Sequence, residues 1–315
     1  MADQIKWKDE ILCYFNNEVK NAFLKLPTSY LYGLNEIRIS SKGYVSFTVK
    51  NSNYFLKHNN QKIRLSKNEI ENIFSKVCSG CVHKYENQIR NGYITVPGGH
   101  RVGFCGTAVY EKDELLTVKN ISSISFRISR QIKNAAREII GNIISGETVC
   151  SALIVGEPCG GKTTILTDLA RLLSNSGKRC AVIDERGEIC SCYEGTPQKD
   201  IGELTCVFDG YTKGEGMMIA LRTMSPQVII CDEVGNSSDA DAMLEAMNAG
   251  VPVIATAHAT NEDELLSRPQ IEEIIDCGAI DKLIFLKGPS SPGSVKKVIL
   301  VNKYDEDYWN SSDCS

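Results

Sequence analysis

The 315-residue sequence predicts an α/β fold, in which a parallel sheet lies between layers of helices and follows a smaller mixed α/β domain. From residue 131 onward, short apolar runs of buried-strand type alternate with segments of helical periodicity. Before that point the pattern differs, with short alternating strands and glycine-rich turns. We therefore expect an N-terminal α/β domain at 1–130, a second domain at 131–305 and a flexible tail at 306–315.

The second domain opens with a glycine-rich loop between a strand and a helix. The segment 156–163 fits the pattern G-x-x-x-x-G-K-[ST], after the apolar run 152–155 and before a helical stretch at 164–173. In such a phosphate-binding loop the backbone N–H groups surround phosphates, the lysine reaches the β and γ oxygens, and the hydroxyl ligates Mg²⁺. The expected nucleotide-binding residues are Gly156, Glu157, Pro158, Cys159, Gly160, Gly161, Lys162, Thr163 and Thr164.

A second apolar run ends in the adjacent acids Asp232 and Glu233, which is typical of a Walker B strand. We expect Asp232 and Thr163 to hold Mg²⁺, and Glu233 to orient or deprotonate the attacking water. If Glu233 does not orient the water, Glu185 or Glu188 does so; these two acids follow another apolar run. These patterns predict a P-loop ATPase core with a RecA-like parallel sheet.

His258 follows the apolar strand 251–256. In an open α/β sheet, ligands bind at the carboxyl ends of the strands. A polar residue at that place is therefore positioned to contact the γ-phosphate, and we include His258 among the candidate catalytic residues.

Four segments in this order resemble the boxes of the secretion ATPase superfamily of type II and type IV systems. They are the Walker A box at 156–164, the aspartate box at 183–188, the Walker B box at 221–233 and the histidine box at 255–259. The segments 36–39 and 91–103, with the Asp-Glu-Arg form of the aspartate box, resemble more closely the stage III sporulation protein AA family of spore-forming Firmicutes. This similarity extends from about residue 34 to about residue 301.

The resemblance implies an ATP hydrolase that works with Mg²⁺ as a ring, expected to be hexameric. It further implies a membrane-protein partner in the channel between mother cell and forespore, and a cytoplasmic position on the mother-cell face of that membrane. Secretion ATPases use arginines near the domain junction to approach nucleotide. Here these are Arg127 and Arg130, with Arg101 as a third candidate for donation to a neighbouring subunit.

The sequence departs from the larger secretion ATPases in lacking their four-cysteine zinc insert. Cys78 and Cys81 form the single C-x-x-C pair, and we expect ordinary thiols there rather than a metal site. The thirteen cysteines have no regular spacing, which favours reduced thiols in the cytoplasm.

Composition limits the remaining partners. The formal net charge is −4 and basic residues are interspersed with acids, which argues against nucleic acid as the main partner. No apolar run reaches the length of a membrane span, so membrane association requires a protein partner.

Three other functions fit parts of the sequence. A GTPase is suggested by the D-x-x-G of Asp232 to Gly235 and by Asn302-Lys-x-Asp305, although the chain ends ten residues after the second motif. A nucleic-acid-dependent P-loop ATPase and a nucleotide-gated scaffold without turnover are the others. The adjacent acids at the Walker B strand argue against the scaffold.

Overall fold

The computed structural model describes residues 5–111 and 113–301. These residues form two compact units. The first contains the described residues up to Arg130 together with the later segment Ser191–Gln198. The second contains Gln131–Cys190 and the described residues from Lys199 onward. The predicted α/β class, with a mixed first domain and a mostly parallel sheet in the second, is confirmed.

The first unit is built on an antiparallel sheet of six strands in the order β3-β2-β1-β8-β7-β6. Its helices are α1 (Trp7–Leu12), α2 (Asn17–Leu24), α3 (Thr28–Gly33), α4 (Lys67–Val77) and α5 (Glu86–Arg90). Its strands are β1 (Leu34–Ile39), β2 (Val45–Val49), β3 (Ser52–Phe55), β4 (Lys57–His58), β5 (Gln61–Lys62), β6 (Tyr93–Val96), β7 (His100–Glu111) and β8 (Glu114–Arg127).

One apolar core holds this unit together. Along β8, Phe126 is fully buried and Arg127 is exposed, because successive strand side chains point to opposite faces. Phe126 packs against Phe15, with ring centroids 5.1 Å apart. Helix α4 begins at a capping box, in which the Ser66 and Glu69 side chains bind each other's backbone N–H.

The second unit is built on a seven-stranded sheet in the order β13-β12-β14-β15-β11-β16-β17, parallel except for the pairing of β16 with β17. Its helices are α6 (Arg137–Ile143), α7 (Lys162–Asn175), α8 (Lys213–Thr223), α9 (Ser237–Asn248), α10 (Glu262–Leu266) and α11 (Pro269–Asp276). Its strands are β9 (Ile144–Ser145), β10 (Thr148–Val149), β11 (Ala152–Val155), β12 (Cys180–Asp184), β13 (Thr205–Asp209), β14 (Val228–Glu233), β15 (Val253–Ala257), β16 (Lys282–Leu286) and β17 (Val295–Leu300).

This strand order brings the predicted motifs to one edge of the sheet. Strand β15 lies between β11, which leads into the glycine-rich loop, and β14, which ends in the Walker B acids. The three strands are parallel, so their carboxyl ends lie side by side. The N-terminus of α7 follows the loop at the same edge.

The sheet ends in the hairpin of β16 and β17. Two apolar runs in the sequence, at 281–287 and 295–301 on either side of a Pro/Gly/Ser-rich turn, predict this hairpin. The Asn302-Lys-x-Asp305 motif and the tail at 306–315 lie outside the described residues. Within the described ranges, no helix combines the length and apolar character needed to cross a membrane.

Candidate functional site

The glycine-rich loop is shaped by close contact with the turn of the β16–β17 hairpin. Gly161, at the start of α7, has a φ of 92°, which favours glycine. A Cβ atom there would lie 2.7 Å from the backbone nitrogen of Gly293. The same Gly293 N–H donates a 2.8 Å hydrogen bond to the carbonyl of Gly160. The loop backbone is therefore held in place by the hairpin turn.

Lys162 is buried beneath this loop. Its Nζ donates to the carbonyls of Gly156 (2.6 Å) and Glu157 (2.9 Å), and it lies 2.8 Å from Nδ1 of His258. Burial lowers the pKa of the Lys162 ammonium, because desolvation disfavours the charged form. A bound phosphate would supply a negative charge beside this ammonium.

His258 connects Lys162 to the Walker B acid Glu233. An ammonium can donate only to an unprotonated Nδ1, which leaves the proton of a neutral imidazole on Nε2. That Nε2 lies 3.4 Å from Oε2 of Glu233. The structure therefore forms a chain from lysine to imidazole to carboxylate, and it shows a contact of His258 that the sequence does not predict.

Asp232 is a buried carboxylate with an unsatisfied oxygen. Its Oδ1 has no hydrogen-bond partner among the described residues and lies 3.3 Å from Nζ of Lys213. Burial raises the pKa of Asp232 to about 6, although the neighbouring ammonium acts in the opposite direction. A carboxylate oxygen without a hydrogen bond fits a Mg²⁺ ligand, and Mg²⁺ needs only one or two protein oxygens beside phosphates and water. Thr163 and Asp232 line the same cavity, so the predicted pair fits this ion.

Lys213 joins two acids at the sheet edge. It is buried at the first position of α8 and bonds Oε2 of Glu185 as well as approaching Asp232. These two carboxylates raise the pKa of Lys213 against the lowering effect of burial. Glu185 is thus bound to a lysine and is not among the residues that line the cavity of the glycine-rich loop.

The aspartate-box loop is held by Asp184, which is fully buried. Its carboxylate accepts the backbone N–H groups of Glu188 (2.8 Å), Ile189 (3.1 Å) and Cys190 (2.7 Å). The loop places Arg186 and Glu188 at the cavity. Asp184 therefore shapes the loop, and Arg186 and Glu188 provide its charged groups at the cavity.

A cavity of about 400 Å³ brings most of the predicted residues together. The predicted residues that line it are Pro158, Cys159, Gly160, Gly161, Lys162, Thr163, Thr164, Glu188, Asp232, Glu233 and His258. It is also lined by Arg186, Thr256 and Pro292, which the sequence reasoning missed. The sequence could have predicted Arg186, since it lies inside the aspartate box, whereas Pro292 and Lys213 belong to no recognisable motif.

The predicted arginines belong to the first unit and differ in their surroundings. Arg127 is exposed and lines a cavity of about 540 Å³ with Arg38 and Arg101. Arg130 is half-buried and donates to the Leu34 carbonyl (2.5 Å) and to Asn35 Oδ1 (3.3 Å). Burial lowers the pKa of Arg130.

The two cysteines of the C-x-x-C pair differ in exposure. Cys78 is buried at the end of α4, and Cys81 is exposed. Over the ranges that the structure describes, no group of three or more His, Cys, Asp or Glu side chains could hold a metal ion.

The chain is similar to proteins of known family and fold. Stage III sporulation protein AA of Bacillus subtilis is 32% identical over 304 residues, which cover 95% of each chain. The ATPase DotB of Legionella pneumophila aligns with 80% of this chain and 72% of its own, at 19% identity and a TM-score of 0.53. The pilus retraction motor PilT, solved with bound ADP, aligns with 80% and 74%, at 13% identity and a TM-score of 0.56. At these identities the two structures show a shared fold.

The family model described as "Sporulation stage III, protein AA" matches residues 6–305, nearly the whole chain. The match includes both units and every residue of the cavity. The chain therefore belongs to the sporulation stage III protein AA family.

Proposed function

We propose that this chain binds and hydrolyses ATP with Mg²⁺, and that the reaction powers or assembles a membrane-associated secretion-type complex during sporulation. The carrying observation is the cavity in which the glycine-rich loop, the two Walker B acids and His258 meet. Family membership supports the sporulation role, and the shared fold with DotB and PilT supports a motor of the secretion type.

The cavity residues divide the chemistry among them. The loop N–H groups and Lys162 bind the β- and γ-phosphates, while Thr163 and Asp232 hold Mg²⁺. Bound Mg²⁺ supplies charge neutralisation on the phosphate oxygens. Glu233 orients the attacking water and accepts its proton, because a carboxylate next to the Walker B Asp lies beside the phosphate position.

His258 positions two of these groups. Its Nδ1 lies 2.8 Å from Lys162 Nζ, and its Nε2 lies 3.4 Å from Oε2 of Glu233. When Lys162 turns to phosphate, His258 loses that donor and remains beside Glu233. We therefore assign His258 the role of coupling phosphate binding to the orientation of the catalytic carboxylate.

The backbone after the Walker B strand argues against the GTPase alternative. A D-x-x-G phosphate contact requires the N–H of Gly235. Here that N–H donates to Oδ2 of Asp239 at 3.1 Å, as part of the cap of α9. Competition of unlabelled ATP and GTP against a fluorescent ATP analogue measures the base preference, and tighter competition by GTP would favour the GTPase alternative.

A ring, expected to be hexameric, would let the first unit of one subunit serve the nucleotide of the next. Arg127 is the preferred donor because it is exposed, whereas Arg130 is bound to backbone of its own unit. An arginine supplied in trans accelerates phosphoryl transfer by about 10³-fold or more. Head-to-tail contacts form a ring when the rotation between neighbouring subunits closes.

Mixed assemblies test the trans arginine. Arg127→Ala and Glu233→Gln subunits should each be inactive alone and should regain ATP turnover when mixed. A mixture of Arg127→Ala with Lys162→Ala/Arg127→Ala is the matched control and should stay inactive. If Arg127→Ala alone keeps wild-type turnover, Arg127 is not the donor, and Arg130 or Arg101 in trans, or Arg186 of the same subunit, performs the role.

We further place the protein at the cytoplasmic face of the membrane on the mother-cell side, held by a membrane-protein partner. Membership of the sporulation stage III protein AA family supports this placement. Turnover should rise when the purified partner is added. It should not respond to DNA or RNA, and stimulation by nucleic acid would instead support the nucleic-acid-dependent alternative.

A further inference from the structure

A second groove, distinct from the nucleotide cavity, runs between helices α8 and α9. Its volume is about 530 Å³, and all its lining residues belong to the second unit. The site described above uses Lys213 at the start of α8 and none of the residues that line this groove.

The floor of the groove is apolar and exposed. Tyr211 and Ile219 expose 43% and 38% of their surfaces there, although their neighbours Met217 and Ala220 are fully buried in the core. Met218 completes the apolar floor from the same helix. Met218 and Ile219 lie on α8 and Tyr211 lies just before it, and together they give the groove an apolar surface. A groove with an apolar surface receives the apolar face of an amphipathic helix.

Tyr211 is a fixed anchor in this floor. Its ring contacts Phe208 edge to face, with centroids 5.5 Å apart. An exposed aromatic ring that already packs against a neighbouring ring contributes to protein interfaces, because little side-chain entropy is lost on binding.

The lip of the groove on α9 is acidic. Asp241 and Glu245 are both exposed, and they lie one helical turn apart, where like charges repel. The α9 sequence contains no basic residue that would compensate them. Opposite them, α8 contributes Glu215 and a single cation, Arg222. A partner for this groove therefore needs an apolar stripe flanked by lysine or arginine.

Helix α8 connects the groove to the nucleotide site. A Cβ atom on Gly214 would lie 2.6 Å from Oγ of Ser238, so α8 and α9 touch directly where both helices begin. The preceding residue, Lys213, binds Glu185 and approaches Asp232. An occupant that shifts α8 would also shift the lysine beside the Mg²⁺ carboxylate.

We propose that the groove between α8 and α9 docks a basic amphipathic helix of another protein. The apolar floor takes the hydrophobic face of that helix, and Asp241 and Glu245 pair with its basic flank. Docking reaches the hydrolysis site through Lys213, which gives a partner control over turnover.

The test measures binding to the nucleotide-free full chain, so a failure of the proposed ATPase activity leaves it intact. The probe is a fluorescent 18-residue helical peptide of leucine and lysine, with a leucine–glutamate peptide of the same pattern as the control. Fluorescence anisotropy should show saturable binding of the lysine peptide alone. No binding, or equal binding of both peptides, would overturn the proposal.

Matched variants locate the bound peptide. Asp241→Lys/Glu245→Lys should weaken binding by about tenfold or more. Glu272→Lys/Glu273→Lys changes the net charge equally at exposed positions of α11 and should leave binding within about twofold. Ile219→Ser should also weaken binding without changing charge. Equal loss in both charge-reversal pairs, or wild-type binding by Ile219→Ser, would show non-specific attraction and refute docking in the groove.

Discussion

The Asp232 carboxylate should destabilise the protein when no Mg²⁺ or nucleotide is bound, because burial removes water from its charge. Burial raises its pKa from 3.8 to about 6, and this value already includes the opposing effect of Lys213. A shift of about two units corresponds to a cost of about 3 kcal/mol for the charged form at pH 7. Asp232→Asn removes the charge with almost no change of shape. We therefore expect the variant to be more stable than the wild type by about 1–3 kcal/mol.

The pH dependence gives the sign of the effect. Below pH 3.8 the carboxyl is protonated in both the folded and unfolded states, so it contributes no cost. The cost grows as pH rises and is complete above about pH 6, where both states are ionised. The stability gained by Asp232→Asn should therefore be larger near neutral pH than near pH 5.

Thermal unfolding followed by circular dichroism, in EDTA and without nucleotide, measures this difference. For a protein of this size, each kcal/mol of added unfolding free energy raises Tm by at most about 2–4 °C. Asp241→Asn, at an exposed position of α9, is the matched control and should change Tm little. MgATP should then raise the Tm of the wild type but not of Asp232→Asn. A variant that is less stable than the wild type, or a gain independent of pH, would refute the reasoning.

Three further outcomes are expected at the same cavity. Lys162→Ala should abolish ATP binding in an equilibrium fluorescence titration, because the phosphates lose the ammonium beneath the loop; retained affinity would contradict this. MgATP should slow maleimide labelling of Cys159, which is exposed in the loop, and leave exposed Cys277 unaffected, as peptide mass analysis would show; equal labelling of Cys159 would mean that nucleotide does not cover the loop. Arg186→Ala should raise KM for ATP, because its side chain lines the cavity, and an unchanged KM would exclude a contact with nucleotide.

The sequence predicted the elements that depend on local pattern. The glycine spacing around Lys162, the apolar run before Asp232 and the strand before His258 each depend on neighbours in the chain, and all three stand at one edge of the sheet. The terminal hairpin was predictable for the same reason.

Other contacts could not be read from the sequence, because they join distant segments. The binding of Lys213 to Glu185 requires β12 and α8 to meet, and Lys213 belongs to no motif. The close contact of Gly293 with the glycine-rich loop likewise depends on the adjacency of β11 and β16. The return of 191–198 to the first unit also gives no periodic signal.

The central claim is that ATP is hydrolysed in this cavity, with the Glu233 carboxylate activating the attacking water. Phosphate release from MgATP and nucleotide affinity should be measured together for the wild type and for Glu233→Gln. We expect steady turnover by the wild type, and a variant that binds ATP normally but turns over roughly 10²–10⁴-fold more slowly. Wild-type turnover by the variant, or no turnover by the wild type under any condition including the presence of its partner, would contradict the account.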